Sequence, residues 1–271
     1  MKKILALLLA LLMLLSLVAC SKEEEEEEDE VDLTVVTSDQ AYTPAEGNPY
    51  GDTFYYEFVD GGDAVSIVGF ASSHQPHAVA IPSAVVIVVA SATQTYPVVD
   101  IADEAFNSKT NITDVVIPEG VTSIGKMAFN GCTALKTATL PTTLTSVGEA
   151  AFAGCILLGS VALPETVTEI GYAAFYNCKS LASAALPAAI TELPANLFMN
   201  CERLKTVTWS AAGTEIGDCA FMGCAVLEGF AFPATLTKIG DNAFSHCAKQ
   251  VAPTLTGVTV GTNAFYGTIG G

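Results

Sequence analysis

The chain has 271 residues, 51% of them hydrophobic and only 15% charged, with 29 acidic against 11 basic side chains and a formal net charge of −18. That length allows one elongated domain or two small ones. A surface this acidic repels phosphate backbones and anionic headgroups, which excludes nucleic acid as a partner and excludes electrostatic docking on a lipid surface.

The N-terminus opens with Met1-Lys2-Lys3, continues as an almost unbroken apolar run from Ile4 to Val18, and reaches Cys20 through Leu17-Val18-Ala19. A positive start, an apolar stretch and small residues before a cut site predict a secretory signal over residues 1–19. The run is shorter than the roughly 20 apolar residues a membrane-spanning helix needs. Leu-Val-Ala-Cys resembles a bacterial lipobox. The resemblance implies cleavage before Cys20 and lipid attached to that thiol, so the membrane is a partner only through the lipid. Ser21 and Lys22 follow, then nine acids between Glu23 and Asp32. Like charges in a block repel and stay solvated, so residues 20–49 are expected to form a lipid-anchored, disordered acidic spacer. Ser-Lys-Glu-Glu after the lipid cysteine resembles the export tag of surface lipoproteins in some Gram-negative bacteria. The apolar run equally resembles those of Gram-positive lipoproteins, and the envelope type stays open. Beyond Asp32, 20 acids and 8 bases remain, a net −12.

Residues 50–98 read as β structure. Phe54 to Val59 is aromatic and β-branched, Asp60-Gly61-Gly62-Asp63 is a turn, and Ala64 to Phe70 is a second strand, together a hairpin. Ala84 to Ala90 is an uncharged run suited to a buried strand and prone to aggregate if exposed. A stack of repeats needs its first apolar layer covered, so 50–98 is expected to be an N-terminal β cap, with a small separate binding domain as the alternative.

From residue 99 to 271 the sequence repeats. Phe106, Phe129, Phe152, Phe175, Phe198, Phe221, Phe244 and Phe265 stand 23 residues apart six times, then 21. Five residues before each is Ile101, Ile124, Val147, Ile170, Leu193, Ile216, Ile239 or Val260, followed by Gly in six of eight units, with Ala102 and Pro194 as exceptions. Three residues after the Phe come Cys132, Cys155, Cys178, Cys201, Cys224 and Cys247. Six after it stands an aliphatic residue, broken by Gln250, and eleven after it an apolar residue that proline often follows. In "LKTATLP", Ala138 and Leu140 alternate and predict a short strand with those side chains inward, ended by a proline that cannot donate to a ladder. The Gly is expected to supply a turn with free φ. "EAAFAGC" is too brief for an independent helix and is expected to be a turn or a single helical turn. Stacked units share one continuous core.

The pattern resembles the BspA-like class of bacterial leucine-rich repeats, "IGxxAFxxCxxLxxVxLPxxVTxIG", from about residue 97 to 265. The resemblance implies an α/β, β-rich leucine-rich-repeat solenoid, right-handed and curved, at the cell surface, in a family linked to adhesion and partner binding.

The candidates for chemistry are sparse. Zinc sites favour close cysteine pairs, and here the interval is 23 residues, apart from Cys219 with Cys224. Stacked rungs lie about 4.8 Å apart, but side chains in register point the same way and a disulfide needs a torsion near 90°. Buried thiols acting as small hydrophobes are the expectation. His246 adjoins Cys247, yet sequence neighbours point apart, so it is read as a solvent-side turn residue; "HQPH" over 74–77 is read as a polar loop. Glu149, Glu169, Glu192, Glu215 and Asp241 are expected to form a solvated edge. No phosphate loop or nucleophile elbow appears. No enzyme activity, cofactor or metal is expected.

With Ala138 and Leu140 inward, the residues eight and ten after the Phe face out. Asp114, Thr137, Ser160, Ser183 and Thr206 form one row, and Thr139 and Thr208 belong to the other. This small, nearly uncharged sheet face is the expected binding surface, and Trp209 on the inward side is expected to fill the core. The expected role is a lipid-anchored, extracytoplasmic surface protein that acts in adhesion or protein interaction, with a protein or glycan ligand outside the cell. A glycan-binding module and a structural envelope spacer are the alternatives.

Overall fold

The structure, a computed structural model, describes residues 35–37, 54–59, 62–70, 77–89 and 92–271, with the backbone alone at 35–37, 86–89, 92 and 93. The signal segment, Cys20, the acidic run to Asp32 and His74 lie outside the described residues; within the expected spacer, Val35–Thr37 is a strand paired antiparallel with Val85–Ile87, where disorder was expected. The N-terminal part holds β1 (Val35–Thr37), β2 (Phe54–Phe58), β3 (Val65–Phe70), β4 (Ala78–Ala80), β5 (Ala84–Val89) and β6 (Ala92–Ile101). The repeats add β7 (Asp114–Val116), β8 (Ser123–Ile124), β9 (Thr137–Thr139), β10 (Ser146–Val147), β11 (Ser160–Val161), β12 (Glu169–Ile170), β13 (Ser183–Ala185), β14 (Glu192–Leu193), β15 (Thr206–Thr208), β16 (Glu215–Ile216), β17 (Lys238–Ile239) and β18 (Thr259–Val260). The result is a β-rich solenoid of about seven turns.

Two parallel ladders line it. The expected one carries β4, β7, β9 and β11 in one sheet and β13 with β15 in another. Its register follows the 23-residue interval, Asp114 on Thr137 and Thr137 on Ser160. Ala138 is partly buried and Leu140 packs against the core, as the alternation predicts. The second ladder is built from the residue pair ahead of the glycine: β6, β8, β10 and β12, then β14, β16, β17 and β18. Ile124, Val147, Leu193, Ile216 and Ile239 point inward there and are buried.

The third side holds no helix among the described residues. Two positions per turn lie in the left-handed region. One is two residues before the Phe (Met127, Ala150, Ala173, Asn196, Cys219, Asn242) and the other two after it (Gly131, Gly154, Asn177, Asn200, Gly223, His246). That alternation stops a helix from propagating and turns amide groups toward the next rung. The Phe129 N–H donates to Ala151 O at 2.8 Å and the Gly131 N–H to Ala153 O at 2.7 Å. His246, at φ 62°, holds one of these turn positions and is exposed, as expected from its neighbours in the repeat.

The glycine after the aliphatic residue does not work by positive φ; this corrects the expectation. None of Gly125, Gly148, Gly171, Gly217 or Gly240 has positive φ. A Cβ on Gly148 would stand 2.6 Å from Gly125 C and 2.7 Å from Lys126 N, so the residue is glycine because the preceding rung's backbone passes against it.

Inside, Phe106 through Phe244 are fully buried, and neighbouring rings stack at 5.0–5.7 Å. At the N-terminal end Phe70 and Phe54 lie 5.1 and 6.3 Å from Phe106, covering the first ring. β2 and β3 form the hairpin that the Gly-Gly turn predicts, and β3 also runs parallel to β6. Gln250, which breaks the aliphatic series, is buried because its Oε1 accepts from the Phe230 N–H at 3.0 Å.

Candidate binding faces

The six repeat thiols are buried, and each donates to the carbonyl of the Phe one rung back: Cys132 to Phe106 O, Cys178 to Phe152 O and Cys201 to Phe175 O at 3.2 Å, Cys247 to Phe221 O at 3.0 Å. Burial pushes Cys132, Cys201 and Cys247 up to about 12 and raises Cys155, Cys178 and Cys224 well above the usual thiol value. Thiols held neutral in this way carry little of the thiolate, the nucleophilic form, at neutral pH. Cys219 is half-buried and raised too, first by burial and then by Asp218 and Asp241. Among the described residues no group of three His, Cys, Asp or Glu could hold a metal ion.

The sheet face comes together as the spacing predicts. Thr137, Thr139, Ser160, Ser183, Thr206 and Thr208 are exposed, and Asp114 is half-buried at the N-terminal end of the row. Thr137 and Thr113 donate hydroxyl hydrogen bonds to Asp114 and hold its carboxyl below the usual range, Thr137 contributing most. Thr137, Thr139 and Ser160 share one sheet; Ser183, Thr206 and Thr208 share the other. The face ends after β15 because Gly229, at φ 64°, breaks the extended run. Trp209 lies on the inner side, packed against the core 6.2 Å from Phe230, its Nε1–H donating to Ile190 O at 2.8 Å.

A second surface escaped the sequence reading. Along the ladder of β8, β10 and β12, the glycines form a floor without side chains, and the residues on either side rise as walls. The trench has a volume of about 740 Å³ and reaches from Asp100 and Asp103 past Ser123, Ser146 and Glu169 to Thr191 and Glu192. Asp100 accepts hydroxyl bonds from Ser66 and Ser123, and Asp103 accepts from the Lys126 N–H at 2.6 Å. Lys126, the one cation on its walls, is paired with Glu149 at 3.0 Å. The row of glycines at a fixed interval was the available signal, once it is read as an absence of side chains and not as freedom of φ.

A stack of rungs with one continuous aromatic core, two parallel ladders and exposed, largely polar outer faces defines a leucine-rich-repeat solenoid. The profile described as "BspA type Leucine rich repeat region" matches in six copies over residues 99–228 and 214–270, and the chain belongs to that family. It is similar to a leucine-rich repeat protein from T. pallidum at 27% identity and a TM-score of 0.65, covering 77% of this chain and 90% of that one. It is likewise similar to a leucine rich cell surface protein from Faecalibacterium prausnitzii at 31% and 0.66, covering 79% of this chain and 54% of that one, so it spans about half that protein's length. A leucine-rich repeat protein from Bacteroides ovatus matches at 28% and 0.62, covering 80% and 67%. The comparison with curated proteins returns no match.

Proposed function

We propose that this protein is an extracytoplasmic binding module, tethered through lipid on Cys20, that engages a protein partner through the sheet face from Asp114 to Thr208 and carries out no catalysis. The observation that carries this reading is the run of exposed Thr and Ser side chains on four successive strands, β9, β11, β13 and β15. They offer hydroxyl groups and flat backbone over a wide area, with Asp114 at one end as the charged member of the row. The leucine rich cell surface protein of F. prausnitzii supports the surface location, and the lipobox-like Leu17-Val18-Ala19-Cys20 supports the anchor. A face without Trp, Tyr or Arg lacks the usual high-energy anchors, so affinity has to come from area and avidity.

The test is capture with the purified 33–271 domain. A partner held by the native chain and lost when Thr137, Thr139, Thr206 and Thr208 are replaced by Glu supports the face. Unchanged capture sinks it, and recognition of a glycan array with no protein captured favours the glycan reading. Incorporation of labelled lipid, abolished by Cys20→Ala, checks the anchor; label retained in that variant refutes it.

A further inference from the structure

The trench raises a question that the sheet face does not answer. Along the trench, six residues before each Phe, stand Asp100, Ser123, Ser146, Glu169 and Glu192, and Glu215 and Lys238 continue the row beyond it. Where acids on this row have neighbours, those neighbours relieve them. Asp100 is bonded by two serine hydroxyls, and Glu215 pairs with Lys238 at 3.2 Å. The carboxylates of Glu169 and Glu192, on consecutive turns, have no hydrogen-bond or ion-pair partner among the described residues.

The solenoid is also discontinuous there. The Gly171 N–H donates to Val147 O and the Gly217 N–H to Leu193 O, both at 2.8 Å. Between these two steps Pro194 takes the glycine's place and has no N–H for Ile170 O. β12 and β14 therefore fall in separate sheets, and β11 and β13 do likewise on the other ladder. The turn side stays bonded, Phe175 N–H to Leu197 O at 3.1 Å, and the Phe175 and Phe198 rings remain 5.7 Å apart. Two like charges thus face one trench from turns that are unpaired on this ladder, while on the other the Ala182 N–H still donates to Gly159 O at 3.1 Å.

We propose that this trench docks an extended polypeptide segment carrying lysine or arginine, lying along the solenoid axis over the glycine floor. The spacing fits. Rungs about 4.8 Å apart put Asp100 and Glu169, three rungs apart, about 14 Å from each other, and an extended chain spans about 13 Å in four residues. Basic side chains at i and i+4 then meet Asp100 and Glu169, and one at i+6 reaches Glu192. A divalent cation fits less well, since calcium takes six to eight oxygens in a closed shell and the walls provide none. Sugar rings have no aromatic side chain in the lining to stack on. This surface is separate from the Thr and Ser face, and the two proposals stand or fall independently.

The probe is a fluorescent peptide alternating lysine and threonine, titrated into the full chain, with a glutamate–threonine peptide as the reference. Glu169→Gln with Glu192→Gln, both at exposed positions, is expected to weaken binding at least tenfold, and raising the salt is expected to weaken it further. Glu202→Gln with Glu228→Gln, exposed acids outside the trench that match the charge change, is expected to leave it unchanged. Hydrogen exchange with peptide bound is expected to slow at 168–171 and 189–192. Equal affinity in the glutamine pair, protection confined to the acidic run at 23–32, or spermine binding as tightly as the peptide would each overturn the proposal.

Discussion

Two left-handed residues per turn set the local chemistry of this repeat, and they explain which side chains occur where. A non-glycine residue there costs roughly 1–2 kcal/mol, and asparagine is among the few that adopt it readily. Asn196, Asn242 and Asn263 sit two residues before the Phe at φ 55–59°, yet Ala150 holds the same position at φ 52°. Ala150→Asn is therefore expected to raise stability by about 0.5–1 kcal/mol, and Asn242→Ala to lower it by a similar amount. Urea unfolding midpoints check both, and a decrease for Ala150→Asn would refute the assignment. This turn was half legible: the Gly and Asn at the second position marked a turn, and His246 was read correctly from its place among them. The first position was hidden, because Met127, Ala150 and Ala173 are side chains that favour helix. Inter-rung hydrogen bonds, which no single unit displays, overrode their propensity.

At the scale of elements, the strand after each leucine was readable because Ala138 and Leu140 alternate over a stretch bounded by proline. The strand before each glycine was not, since two residues such as Ser146-Val147 are too short to show a period. The glycine's role was misread for the same reason: its constraint comes from a chain segment 23 residues away. That distinction is measurable. Gly148→Ala puts a methyl group 2.6–2.7 Å from the backbone at Gly125 and Lys126, which cannot yield as a side chain would, so a loss of about 1–3 kcal/mol is expected. Gly159 has no heavy atom within 4 Å of the same added group and no positive φ. Gly159→Ala is expected to be neutral or to stabilise by up to about 1 kcal/mol through the unfolded chain. Equal effects at the two sites, compared by thermal and chemical unfolding, would mean that inter-rung contact is not what selects glycine.

For the whole molecule, repetition multiplies whatever one rung does, and the buried thiols show how far. Each folds as a neutral S–H, with burial raising its value from 9.0 to about 12 at Cys132, Cys201 and Cys247 and raising the other three as well. The folded state thus holds protons that the unfolded chain releases. Stability is undiminished below pH 9 and falls as the pH rises from there toward 12. Each thiol contributes a slope of about 1.4 kcal/mol per pH unit in that window, and six together roughly 8. A domain of ordinary stability, about 5–15 kcal/mol, then unfolds within one to two units above pH 9. Replacing Cys178 and Cys201 by Ala removes two of the six and is expected to lower the slope by about a third, even though each cavity lowers stability at neutral pH. Denaturant unfolding in reducing buffer between pH 7 and 10.5 separates the two effects, because the cavity term is constant across pH while the titration term grows with it. A slope unchanged by the double replacement would mean that the alkaline instability arises from groups that all variants share, and that the thiol ladder fills space without setting the pH range in which the fold survives.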